Sequence, residues 1–119
     1  MSIAESVEHW YDGKGMYSNR GLMWEVFSDE VLQHVEKYTV PQYGDFPNDQ
    51  MTEWANEDFV TTIKRYINRA GKNARGPEED VRDLLKIAHY AGTLWAKITG
   101  AQDVLASLIY QDEDNKKED

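Results

Sequence analysis

Apolar positions along this chain recur at three- and four-residue spacing and rarely alternate, so the pattern predicts helices and no strand. A short first segment, roughly Ile3 to Tyr11, reads as helical and runs into the turn-rich DGKGMYSNRG (Asp12 to Gly21). The glycines of that turn lack the preceding strand, the full Walker spacing and the Ser or Thr of a phosphate loop. It reads as a flexible connection. A helix from about Leu22 to Tyr38 carries Met23, Val26, Phe27, Val31, Leu32 and Val35 on an apolar face. Glu25, Asp29, Glu30, Gln33 and Glu36 form its polar one. TVPQYGDFPND (Thr39 to Asp49), with two prolines and a glycine, breaks the pattern as an extended loop.

A further helix runs from about Asn48 or Gln50 to Ala70, with Phe59, Ile63, Tyr66, Ile67 and Ala70 facing the core. Gly71 suits the left-handed conformation that ends a helix, and Lys64, Arg65 and Arg69 complement its dipole there. Pro77 followed by Glu78, Glu79 and Asp80 is a helix start. The helix it opens is expected to bury Val81, Leu84, Leu85, Ala88, Ala91, Gly92, Trp95 and Ile98, and to stop at Gly100. A last short helix, about Gln102 to Tyr110, would close the bundle through Val104, Leu105, Leu108 and Ile109. The expected fold is therefore all-α, a compact bundle of four main helices with a short fifth. Residues 1–110 form one helical domain in this reading, and residues 111–119 a charged flexible tail.

Composition narrows the function classes. At 119 residues the chain suits one modest core. With 40% hydrophobic and 12% aromatic residues it reads as folded rather than disordered. No cysteine is present, which excludes disulfides and thiolate metal sites. No basic start precedes an apolar run and no apolar stretch could span a bilayer, so the expectation is a cytoplasmic protein without a membrane role. A net charge of -9 argues against direct nucleic-acid binding, which needs a basic face. It leaves room for a protein that imitates nucleic acid, or one that holds Mg2+ between carboxylates.

Two sets of charged residues could carry chemistry. Asp80 and Asp83 flank the apolar edge of the Pro77 helix, where a carboxylate needs a cation, a hydrogen bond or a metal. They read either as metal or ligand groups or as ion-pair partners of Lys64, Arg65 or Arg69. Glu79 and Asp83 are four apart, as are Glu53 and Glu57 in EWANED (Glu53 to Asp58), and like charges at that spacing repel without compensation. In an antiparallel hairpin Glu53 and Glu57 face the Thr93 to Lys97 region, so uniting all these carboxylates needs a crossing geometry or a second chain. The basic set is Lys64, Arg65, Arg69, Lys72 and Arg75, which could grip phosphate or pair with the carboxylates next in sequence. Asn73 and the flanking glycines would let that loop close over a ligand. His89 reads as a structural histidine, and Tyr90 falls almost on the Asp83 line two turns on.

RYINRAGK (Arg65 to Lys72) followed by DLLKIAHYAGTLW (Asp83 to Trp95) resembles the core of small phage and prophage proteins of the SaV-like type. Those carry a K-Y-x-x-R-A-G-K helix end and an E-D-L-x-K-A-x-x-Y-L helix. The likeness covers roughly Phe59 to Trp95, with Tyr66, Arg69, Gly71, Lys72, Asp83, Lys86 and Tyr90 at corresponding positions. EEDVRDLL (Glu78 to Leu85) also resembles the second acidic motif of the MazG-like all-α nucleoside triphosphate pyrophosphohydrolases; their first, E-E-x-x-E, is not present, and EWANED is a loose substitute for it. The resemblance implies Mg2+ held by Glu53, Glu57, Glu79, Asp80 and Asp83, with Asp80 and Asp83 catalytic. It implies nucleotide contacts from Arg65, Arg69, Lys72, Arg75, Lys86 and Tyr90, cleavage between the α and β phosphates, and a homo-oligomer. The alternative is a non-catalytic acidic phage-type protein that inhibits a basic host partner, such as a nucleic-acid-binding or defence protein.

Overall fold

The computed structural model describes residues 2–12, 15, 17–72 and 74–117, the last by its backbone only. Gly13 and Lys14 of the first glycine-rich turn, Asn73 of the basic loop and the last two residues of the tail lie outside the described residues. Every described element is helical, so the fold is all-α as the periodicity predicts. The chain divides into two compact units, residues 1–42 and 43–119.

In the first unit, Ser2 and Glu5 form a reciprocal cap. The Glu5 amide donates to Ser2 Oγ at 3.1 Å, and the Ser2 amide donates to Glu5 Oε1 at 3.4 Å. Helix α1 (Ile3–Asp12) follows from it. Helix α2 (Asn19–His34) starts earlier than the apolar pattern suggests, because Ser18 Oγ accepts from the Gly21 amide at 3.1 Å and caps it. Leu22 is its buried anchor, whereas Met23 and Leu32, expected inside, are exposed. Helical backbone then continues through a π-helical turn (Val35–Thr39) and, where a loop is expected from Thr39 on, into the single turn α3 (Val40–Tyr43). Pro41 explains the wide turn. It has no N–H, and its ring would press on the carbonyl one turn earlier. Widening the turn, with the Val40 amide reaching back to the Val35 carbonyl, relieves that pressure.

In the second unit, Asp49 opens a 3-10 turn (Gln50–Glu53). Its Oδ1 accepts from the Thr52 amide at 3.0 Å and from Thr52 Oγ1 at 2.8 Å. Asp58 Oδ2 takes the Ala55 amide at 2.8 Å and starts helix α4 (Asn56–Arg69). The single helix expected from residue 48 or 50 to 70 is thus two elements, because two aspartates capture two separate helix starts. Pro77 opens α5 (Pro77–Thr99), and Gly100, at φ +84°, turns the chain into α6 (Ala101–Lys117). Helix α6 is 17 residues long and extends through most of the segment read as a tail.

Helices α4 and α5 form an antiparallel hairpin, and α4 covers only one side of α5. Phe59 and Asp83 are the large side chains fully buried along it. Of the face expected to be buried on α5, Val81, Leu84, Ala91, Gly92, Trp95 and Ile98 are exposed instead. Ile67 of α4 and Val104, Leu105 and Leu108 of α6 are exposed as well. Helical periodicity locates an apolar stripe but does not say which stripe the chain covers with itself. Among the described residues no helix is long and apolar enough to cross a membrane.

Candidate functional site

The hairpin positions the charged residues through a seam of aromatic rings. From α4, Phe59 and Tyr66 are seven residues apart and present the same side; from α5, Asp83, Tyr90 and Lys97 do so as well. Antiparallel pairing sets Arg69 at Asp83, Tyr66 at Lys86 and Tyr90, and Phe59 at Lys97. The Tyr66 and Tyr90 rings stack at 5.9 Å between centroids with planes 14° apart, and Trp54 stacks on Tyr90 at 5.9 Å and 24°. Trp54 also meets Phe59 edge-on at 5.1 Å. Lys97 Nζ closes this end, donating to the Trp54 carbonyl and lying 6.0 Å from the centre of the Phe59 ring. Partial burial and the neighbouring Tyr66 push the Tyr90 phenol up to about 12.

At the other end Arg69 grips Asp83 with two bonds. Arg69 Nε donates to Oδ2 at 2.9 Å and Nη2 to Oδ1 at 2.8 Å. The Asp83 side chain is 0% exposed and that of Arg69 39%, so the carboxylate is sealed inside while the guanidinium remains in contact with solvent. Its hydrogen bonds to Asp83 hold the guanidinium above its ordinary pKa. Of the two readings for Asp83, the ion pair is the one the fold makes.

Three cations surround one ring. Arg69 Cζ lies 4.7 Å from the Tyr66 centroid, Arg65 Cζ 5.2 Å and Lys86 Nζ 5.3 Å. Arg69 is committed to Asp83. Arg65 and Lys86 carry no carboxylate partner among the described residues, in a chain of net charge -9. Arg75 is paired with Glu79 at 3.3 Å, and Arg82, a residue the motif reading passes over, meets the same Glu79 at 2.6 Å. Lys72 lies exposed on the loop.

The carboxylates do not assemble. Asp83 gives both oxygens to Arg69, and Glu79 gives both of its own to Arg75 and Arg82. Asp80 is half-buried in the first turn of α5, while Glu53 and Glu57 are exposed near the opposite end of the hairpin. Glu57 is twelve residues up α4 from Arg69, about 18 Å along the helix. Among the described residues no three His, Asp or Glu side chains come close enough to hold a metal ion. Among the described residues the carboxylates expected to hold Mg2+ are thus spread over both ends of the hairpin.

Trp54 and Lys97 complete the seam without having been singled out by motif. Lys97 lies on the line of Asp83 and Tyr90 at seven-residue steps, and that repeat is the signal for it. No family model, curated protein or solved structure matches this chain.

Proposed function

We propose that the α4–α5 hairpin binds the phosphates of a nucleoside triphosphate beside Tyr66. The observation that carries this reading is the convergence of Arg65 and Lys86, from two helices, on the Tyr66 ring, with no carboxylate paired to either among the described residues. Concentrated positive charge in an acidic protein favours a polyanion at that point and disfavours it elsewhere on the surface. Arg65 supplies a planar fork for two phosphate oxygens and Lys86 a compact charge. Lys72 on the adjoining loop can add a third contact, and the Arg69–Asp83 pair holds the two helix ends that carry them. The likeness to SaV-like and MazG-like proteins supports the same ligand class.

In this reading Mg2+ arrives with the triphosphate as its counter-ion. Asp83 is a positioning residue rather than a metal ligand. Among the described residues the carboxylates are not gathered into one group, so the proposal is one of binding.

Titration calorimetry with a panel of ribo- and deoxynucleoside triphosphates, with and without Mg2+, tests it, with pyrophosphate release measured in the same samples. Binding should weaken about tenfold or more in Arg65→Ala and Lys86→Ala, each loss corresponding to about 1.4 kcal/mol, and stay within twofold in Lys64→Ala. Equal affinity in all three variants, or no heat with any nucleotide at millimolar concentration, sinks the reading.

A further inference from the structure

The face of α5 turned away from α4 carries a regular apolar repeat whose large members are exposed. Val81, Leu84, Ala88, Ala91, Trp95 and Ile98 succeed one another at steps of 3, 4, 3, 4 and 3 residues, the spacing of a coiled-coil seam. The stripe lies about 140° round the helix from the Asp83–Tyr90–Lys97 line that meets α4. Its four large members are 57%, 50%, 63% and 66% exposed for Val81, Leu84, Trp95 and Ile98. Ala91 is exposed and Ala88 half-buried.

Size along the stripe has a mirror order: large, large, small, small, large, large. Position numbers paired from the two ends give one constant sum, 81 with 98, 84 with 95 and 88 with 91. The mirrored size order is what a surface complementary to itself about a two-fold axis between residues 89 and 90 requires.

We propose that α5 pairs with α5 of a second copy, antiparallel and in this register. Val81 then packs on the partner's Ile98, Leu84 on the partner's Trp95 and Ala88 on the partner's Ala91. The two alanine layers let the helix axes approach closely at the centre, while Leu and Trp fill the wider ends. A parallel pair would set Trp95 against its own copy. It would also bring Glu78, Glu79 and Asp80 of both chains side by side, an arrangement that like charges oppose. In the antiparallel pair these acidic ends are a full helix apart, and the two helix dipoles oppose each other favourably.

The stripe offers roughly 500 Å² per copy, and half-buried Leu85 and Leu94 on its flanks raise this towards the roughly 800 Å² per partner of an ordinary specific interface. This pairing does not depend on the nucleotide reading.

Because the chain has no cysteine, single cysteines report the register directly. Val81→Cys and Ile98→Cys chains are mixed and oxidised mildly, after far-ultraviolet circular dichroism has shown that both retain full helix content. The ends of the stripe are about 25 Å apart along the helix, so only antiparallel pairing brings unlike cysteines together. The expected products are disulfide heterodimers in the mixture, none in either variant alone, and a sedimentation mass for the unmodified chain twice that of one copy. A Leu84→Lys substitution should halve that mass, and adding Trp95→Glu in the same chain should restore it. Cross-links within the Val81→Cys sample alone overturn the register. A monomer at tens of micromolar, with no cross-link in any sample, overturns the pairing.

Discussion

Replacing Arg69 with Met leaves Asp83 in place without the guanidinium that neutralises it. The Asp83 side chain is 0% exposed, so water cannot take over the role of the lost cation. Depriving a sealed carboxylate of its charged partner costs about 3–5 kcal/mol. The reverse change, Asp83→Leu, is milder, because the side chain it strands is 39% exposed and turns to solvent. Its expected cost is about 1 kcal/mol, mainly from two lost hydrogen bonds offset by added apolar burial. The double substitution Arg69→Met with Asp83→Leu replaces a charged pair by an apolar one of similar volume and should lie near the parent. Urea unfolding followed by circular dichroism at fixed chain concentration gives the four stabilities of the cycle. In thermal terms the Arg69→Met chain should melt on the order of 10 °C lower. Its deficit should shrink as pH falls, since a protonated Asp83 is cheaper to bury than a charged one. Equal losses for the two single variants, or a double variant as unstable as Arg69→Met, would refute the claim that exposure decides which partner is indispensable.

Other perturbations test separate parts of the fold. The Tyr90 phenol, raised to about 12 by burial, contributes stability that is complete below the unfolded tyrosine value near 10 and is lost as pH rises through 12. After discounting for its solvent contact this is about 1–2 kcal/mol, read from absorbance at 295 nm and alkaline unfolding, and Tyr90→Phe should abolish it. Gly100→Ala places a Cβ where nothing lies within 4 Å but where φ is +84°, so backbone strain alone should cost about 1–2 kcal/mol in thermal unfolding. Asp49→Ala removes the acceptor for the Thr52 amide and hydroxyl, and hydrogen exchange of the 3-10 turn should accelerate several-fold while α5 stays protected.

Much of this was legible from residues. The start at Pro77, the stop at Gly100 and the cap at Gly71 are local chemistry, and local chemistry is written in the chain. The Arg69–Asp83 pair was open to the same reading, because a carboxylate at the edge of an apolar stripe needs a cation and three lay at the preceding helix end. Covering was not legible. Periodicity gives α5 an apolar face at Val81, Leu84 and Trp95, yet α4 packs on the side carrying Asp83 and Tyr90. Aromatic stacking and a buried ion pair won that choice over the aliphatic stripe. The extension of α2 through Pro41 was hidden for another reason. Proline is a sound helix breaker unless the turn before it widens, and nothing in the composition announces a π-helical turn.

The grip of Arg69 on Asp83 has a topological meaning in a chain that lacks cysteine. It ties residues 14 apart in sequence, so the basic loop and the first turn of α5 belong to a closed ring rather than an open connection. A disulfide at that place would limit the same wandering of the chain, but it would depend on the redox state around it. A guanidinium and a carboxylate form a tie that no thiol reductant can cut. The loop that carries Lys72 therefore keeps its anchorage in reducing surroundings, where a small cross-linked protein would come undone.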